Sequence, residues 1–203
     1  MSKVVVFTNL TLDGVMQAPG RPDEDRRGGF EHGGWATPYA TMEAVGESMA
    51  NTGALLLGRR TYEDFYAVWP NRTDNPFTAV LDNTQKYVAS TTLVEPLPWS
   101  NSTLLKGDAA EAVARLKEEP GKDLVVLGSG ELVQSLMRRN LVDEYVLLIH
   151  PLVLGSGRRL FTDGGAFAAL RLVATSTTTT GVVIATYQSA EPTARKTTDA
   201  ATH

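Results

Sequence analysis

Two stretches carry residues whose types and spacing suit the binding of a phosphate. In the first, LVVLGSGELVQSL, four apolar residues from Leu124 to Leu127 run straight into Gly128-Ser129-Gly130. Leu132, Val133, Leu136 and Met137 then recur at helical spacing. A short apolar run before a Gly-rich turn predicts a strand buried on both faces. The glycines permit tight backbone geometry, and the first N–H groups of the next helix have no partner within it. Together with the helix dipole these donors form an anion site. The second stretch repeats the pattern, with Ala54 to Leu57 as the strand, Gly58-Arg59-Arg60-Thr61 as the turn, and Tyr62, Phe65 and Tyr66 on one helical face. Arginine is the side chain best shaped to grip phosphate oxygens. An ordinary strand-to-helix turn is the blander account of the first stretch, and surface arginines that of the second. A third strand, Lys86 to Ser90, ends in Ser90-Thr91-Thr92, which adds hydroxyls.

Other chemistry is sparse. No cysteine is present, so disulfides, a thiol nucleophile and a thiolate metal site are excluded. No His-rich or carboxylate-rich cluster has metal-ligand spacing, and no metal is expected. The GxxxxGK[ST] pattern of phosphate-hydrolysing loops is missing. His150 follows a strongly apolar strand, Glu144 to Ile149, and titrates in a useful range, although a lone histidine there is more often structural. Trp35, Tyr39 and Trp69 could stack on a flat ring or simply fill a core.

The elements that must position these residues follow from periodicity. Lys3 to Leu10 reads as the opening strand, with Asp13-Gly14 as its turn. Gln17 to Gly34 reads as a long irregular loop, a kind often used as a lid or binding loop. A helix is expected from Pro38, with Tyr39, Met42, Val45 and Met49 on one face. Phe77 to Asp82 reads as a short strand, Thr103 to Leu105 as another, and Ala109 to Leu116 as a helix ended by Pro120-Gly121. A second GSG, Gly155-Ser156-Gly157, leads into Arg158-Arg159 with no helical continuation and reads as a turn with substrate contacts. Leu172 to Thr178 and Val182 to Gln188 form a closing hairpin, and residues 189–203 read as a disordered tail. Alternating strands and helices with a final hairpin predict an α/β three-layer sandwich: a mostly parallel mixed sheet with an antiparallel C-terminal hairpin. The loops after Leu10, Leu57, Ser90 and Leu127 would then meet at the carboxyl edge, where such sheets bind ligands.

The 203 residues suit one domain, residues 1–188. Hydrophobic residues are 42% and charged residues 21%, as in soluble globular proteins. A formal charge of −4 argues against a nucleic-acid partner, and the arginine pairs 26–27, 59–60, 138–139 and 158–159 look scattered over a solvated surface. No run approaches a signal peptide or membrane span, so no membrane partner is expected and the cytoplasm is the default location.

TLDGVM, GGWATPY, LLLGRRTYEDF, KYVAS, VLGSGELVQSL and HPLVLGSGRRLF, in this order, resemble the dihydrofolate reductase family. The likeness is nearer to its bacterial branch related to the reductase domain of riboflavin biosynthesis, and covers residues 3 to 188. It implies an eight-stranded sheet, NADPH across its carboxyl edge, and hydride transfer to a small heterocycle (pterin- or pyrimidinone-like) or carbonyl. It assigns Gly58, Arg59, Arg60 and Thr61 to the pyrophosphate and 2′-phosphate side, and Ser90 and Thr91 to the 2′-phosphate. Gly128, Ser129, Gly130, Glu131 and Leu132 match the pyrophosphate cradle, and Asn9 the nicotinamide. Asp13-Gly14-Val15 matches the loop over that ring, which makes Asp13 the candidate proton donor. Val15, Trp35, Tyr39, Glu43 and His150 are candidates for the substrate side. The family's pterin-binding carboxylate lies on its first helix, where this chain has Glu43 and Glu47. The competing reading is a non-catalytic NADP or nucleotide-binding module. Related proteins often dimerise, so the resemblance allows a homodimer.

Overall fold

In the computed structural model, which describes residues 1–40, 50–75 and 77–190, eight strands form one sheet. They are β1 (Val4–Thr11), β2 (Thr52–Gly58), β3 (Gln85–Ala89), β4 (Ser102–Leu105), β5 (Asp123–Leu127), β6 (Glu144–His150), β7 (Ala169–Thr177) and β8 (Val183–Ala190). Their order is β4-β3-β2-β5-β1-β6-β8-β7. The first six pair in parallel, while β8 is antiparallel to both β6 and β7. The described α-helices are α1 (Arg59–Val68), α2 (Phe77–Asn83), α3 (Ala109–Glu118) and α4 (Gly130–Arg138).

The central strands read as unbroken apolar runs because both of their faces are covered. Alternation splits β1 between two cores. Val4 and Val6 pack with Leu56 and Val126 against Val113 of α3 and Val133 and Leu136 of α4. Val5 and Phe7 pack with Leu55, Leu57 and Val125 against Tyr62 of α1 and Leu81 of α2. Each such side chain contributes roughly 1.5–3 kcal/mol by leaving water. Asp108 fixes where α3 starts, its carboxylate accepting the N–H groups of Ala110 at 2.8 Å and Glu111 at 3.2 Å.

One expected strand is a helix. Phe77 to Asp82 contains Phe, Thr and Val, which favour strands, yet Asn75 accepts the Phe77 N–H at 2.9 Å and starts a helical turn. Phe77 and Leu81 then lie four apart on the face packed into the α1/α2 core. The final strand also runs past the expected boundary: Ser189 and Ala190 pair with Leu170 and Ala169 of β7. Residues 191–203 lie outside the described residues, as do Met42, Glu43, Val45, Glu47 and Met49 of the expected first helix. Before them, Thr37–Tyr39 forms a single 3-10 turn. The long loop from Gln17 is irregular as expected, held by a small core of Val15, Ala18, Phe30, Trp35 and Ala36.

Candidate functional site

Parallel strands direct their carboxyl ends the same way, and those of β1, β2, β3, β5 and β6 open on one cleft of about 2370 Å³. A single small ligand needs about 300–1,000 Å³, so this space admits an extended ligand and a second one. Among the expected site residues, the cleft gathers Asn9, Tyr39, Gly58, Arg59, Arg60, Thr61, Ser90, Thr91, Gly128, Ser129, Gly130, Glu131, Leu132 and His150. The expectation that the loops after four separate strands converge is met.

The two strand–Gly–helix turns are joined to one another. Ser129 Oγ accepts the Gly58 N–H at 2.9 Å and lies 3.0 Å from Thr61 Oγ1. The second turn needs its glycines. Gly128 has φ +54° with Thr61 Oγ1 3.3 Å from where a Cβ would stand, and a Cβ on Gly130 would meet Met16 Sδ at 2.8 Å. Among the described residues no side chain caps α1 or α4, so their first N–H groups remain available to an anion. Arg59 and Arg60 are the first two residues of α1. Glu131 contributes a carboxylate to the first turn of α4, largely exposed and 2.8 Å from Arg158 Nη1. Leu132 turns into the core. Ser90 closes its own turn, accepting the N–H groups of Thr92 and Leu93 at 3.1 and 3.0 Å, while Thr91 is exposed.

The arginine pairs are not scattered. Arg26, Arg27, Arg59, Arg60, Arg158 and Arg159 all line the cleft, with Arg138 of the fourth pair; Arg139 instead meets Asp108. With Arg21 and Arg72 the lining holds nine arginines against six carboxylates, in a chain of net charge −4. Sequence reading missed this because the pairs come from four separate loops and helix ends. The available signal was that two of them directly follow a strand or a glycine turn, at Gly58 and Gly157.

In the same cleft His150 is buried, with Nε2 2.9 Å from Asn9 Oδ1. Burial pushes its pKa down to about 4, so the imidazole is neutral at pH 7. Trp35 and Tyr39 stand edge-on to it at 5.1 and 5.5 Å. Thr180 of the closing hairpin donates to the Tyr39 carbonyl at 3.1 Å.

Three expected residues are not brought to the cleft. Asp13 turns to the 152–159 segment, accepting from Thr11 Oγ1 at 2.6 Å and from the N–H groups of Leu154 and Gly155 at 3.2 and 2.8 Å. The Thr11 hydroxyl and these N–H groups hold the carboxyl down to about 2. Val15 is fully buried in the loop core and bridged to Arg159. Trp35 is buried behind His150, donating from Nε1 to Gln17 O at 2.7 Å. Glu43 lies outside the described residues.

Among the described residues no three His, Asp or Glu side chains converge as a metal site, and no helix is long and apolar enough to cross a membrane. The fold is that of the dihydrofolate reductases. The chain superposes on a putative riboflavin biosynthesis protein from Shewanella sp. PV-4 with a TM-score of 0.71 at 21% identity, covering 93% of this chain and 99% of that one. On the Enterococcus faecalis dihydrofolate reductase complexed with NADP(H) and RAB-propyl the TM-score is 0.58 at 13% identity, over 93% and 97% of the two chains. In sequence it is 33% identical over 138 residues to the uncharacterised Bacillus subtilis (strain 168) protein YyaP, covering 66% of this chain and 72% of that protein. The model of the RibD C-terminal domain matches residues 2–184, and the chain belongs to that family.

Proposed function

We propose that the chain is an NADPH-dependent reductase acting on a small planar heterocycle or carbonyl. The observation that carries this reading is the joining of Gly58–Thr61 to Gly128–Leu132 at the rim of an arginine-rich cleft. The uncapped helix starts and the hydroxyls of Ser90 and Thr91 suit a ligand with several phosphates. Arg59, Arg60, Ser90 and Thr91 would take the 2′-phosphate, the Gly128–Gly130 turn the pyrophosphate, and Asn9 the nicotinamide end. NADPH supplies a hydride when bound. The chain's own part is to orient the two ligands and to keep water from the region walled by Phe7, Tyr39 and Leu148. Neither Asp13, held ionised, nor His150, held neutral, is a proton donor at neutral pH.

Thermal shift with NADPH, NADH and ADP tests the cofactor, because a ligand bound only by the native state raises the melting temperature. No shift with NADPH well above micromolar concentration rejects the reading. Loss of NADPH absorbance with pterins, pyrimidinones or quinones then separates a reductase from a module that only binds nucleotide.

A cytoplasmic setting suits reliance on NADPH. Among the described residues the outer strand β7 pairs only with β8, and it leaves Leu172 and Val173 about half exposed, which suits pairing with a second copy. Light scattering at micromolar concentration should give the mass of a dimer; a monomer mass rejects that assembly.

A further inference from the structure

The carboxylate of Glu131 stands where a bound phosphate would least tolerate one. It belongs to the first turn of α4, next to the Gly128–Gly130 turn, and helical side chains tilt back toward the helix start. Two guanidinium groups meet it. Arg158 Nη1 lies 2.8 Å and Arg27 Nη1 3.8 Å from the same oxygen, Oε1. These arginines come from distant parts of the chain, and one buried side chain sets both. Gln17 Oε1 accepts the Arg158 N–H at 2.9 Å, while Gln17 Nε2 donates to the carbonyls of Arg27 at 2.9 Å and Asp25 at 3.2 Å. The preceding residue joins this assembly to α4. Met16 N–H donates to the Arg158 carbonyl at 2.8 Å, and Met16 Sδ lies 2.8 Å from where a Cβ on Gly130 would stand. Asp25 takes the other edge of Arg27, accepting Nε–H at 2.8 and 3.0 Å, and leaves Nη1 to Glu131.

We propose that Arg27 and Arg158 grip a pyrophosphate, and that Glu131 holds them beside the start of α4 until that anion takes its place. The exchange is favourable on both counts. Glu131 is 76% exposed and Arg158 50%, and an ion pair in that much water is weak. A pyrophosphate carries more charge and more oxygens than one carboxylate, so it wins planar donor forks from it. Glu131 is then the stand-in for the ligand and not a member of its cradle. Naming the anion as part of NADPH rests on the reductase reading, whereas the grip itself needs only a diphosphate.

Calorimetric titration of the full chain with inorganic pyrophosphate, NADP+ and 2′-AMP tests this in wild type, Arg27→Ala, Arg158→Ala and Glu131→Gln. Each arginine variant should weaken pyrophosphate and NADP+ by about tenfold. Neither should change 2′-AMP, which has a 2′-phosphate and no pyrophosphate. Glu131→Gln keeps the shape, removes the charge and should tighten pyrophosphate and NADP+ by about threefold. Loss of a cradle residue would weaken them instead. Should Arg27→Ala disturb its loop, Arg158→Ala and Glu131→Gln carry the comparison. Should pyrophosphate alone bind too weakly to follow, the contrast between NADP+ and 2′-AMP decides. Arginine variants that bind pyrophosphate and NADP+ as wild type does overturn the proposal, as does a Glu131→Gln variant that binds them no tighter. Equal weakening of 2′-AMP also overturns it, by moving the arginines to the 2′-phosphate. Wild type that binds pyrophosphate but not NADP+ rejects the reductase reading instead, and the variants still decide the grip.

Discussion

Ser129 accepts the Gly58 N–H at 2.9 Å, and through that bond two turns 71 residues apart become one surface. The serine makes it from the left-handed region, at φ 55° and ψ 45°, which costs a residue with a Cβ about 1–2 kcal/mol. A hydroxyl kept at such a position has a task that glycine could not perform. Ser129→Ala retains the backbone cost and leaves the Gly58 donor unpartnered, so urea denaturation should show a loss of about 1–3 kcal/mol. Ser129→Gly loses the same bond but relaxes the backbone, and should be at least as stable as the alanine variant. An alanine variant as stable as wild type would show that the joint does not hold the turns.

Arg59 and Arg60 bear on the choice between nicotinamide cofactors. NADPH differs from NADH by the 2′-phosphate, and a charge-assisted bond to it contributes about 1.5–3 kcal/mol. Replacing both arginines by alanine should therefore raise the Kd for NADPH by about ten- to a hundredfold and change that for NADH much less. Equal weakening in a fluorescence titration moves the arginines to the shared pyrophosphate. No change in either returns them to the solvated surface.

How far the site is legible in the sequence depends on the range of the contacts that make it. The turns at Gly58 and Gly128 announce themselves locally, by an apolar run, a glycine and a helical period, and both sit at the cleft. Asp13 does not, because the partners that turn it away are backbone N–H groups at Leu154 and Gly155. Nor does the Asn9–His150 pair, which exists only because β1 and β6 lie side by side in a register that aligns Thr11 with His150. Phe77 to Asp82 reads as a strand for the opposite reason: residue preference favours one, whereas one Asn75 side chain and the spacing of Phe77 and Leu81 favour a helix.

That misread helix has an unusual end. Lys86 is fully buried, and its ammonium donates to the carbonyls of Leu81 at 2.6 Å and Thr84 at 2.7 Å while lying 4.5 Å from the centre of the Trp99 ring. A cation at the last carbonyls of a helix opposes its dipole, and the aromatic face adds to the attraction. Lys86→Met keeps most of the volume but strands those carbonyls, so about 2–4 kcal/mol of stability should be lost. Because Leu81 and Val80 line the cleft, the variant should also lose NADPH-induced thermal shift. A methionine variant with the wild-type melting temperature would mean that α2 is held by its apolar face alone.

His150 makes the stability of the fold depend on pH in a definite direction. Its ordinary pKa is 6.5, and burial lowers it to about 4 in the folded chain. Between these values the unfolded chain takes up a proton that the folded chain excludes. Stability therefore falls as pH drops from about 6.5 to about 4 and gains nothing further from this group below that. A shift of this size corresponds to about 3 kcal/mol at most. Urea midpoints for wild type and His150→Gln, measured at pH 7 and pH 4.5, isolate the effect, since the carboxylates are common to both proteins. The difference between the two proteins should shrink or reverse at the lower pH, because glutamine has no proton to exclude. Parallel loss in both would mean that the imidazole is as easily protonated in the fold as in water, and that the Asn9 contact and the edges of Trp35 and Tyr39 leave it open to solvent.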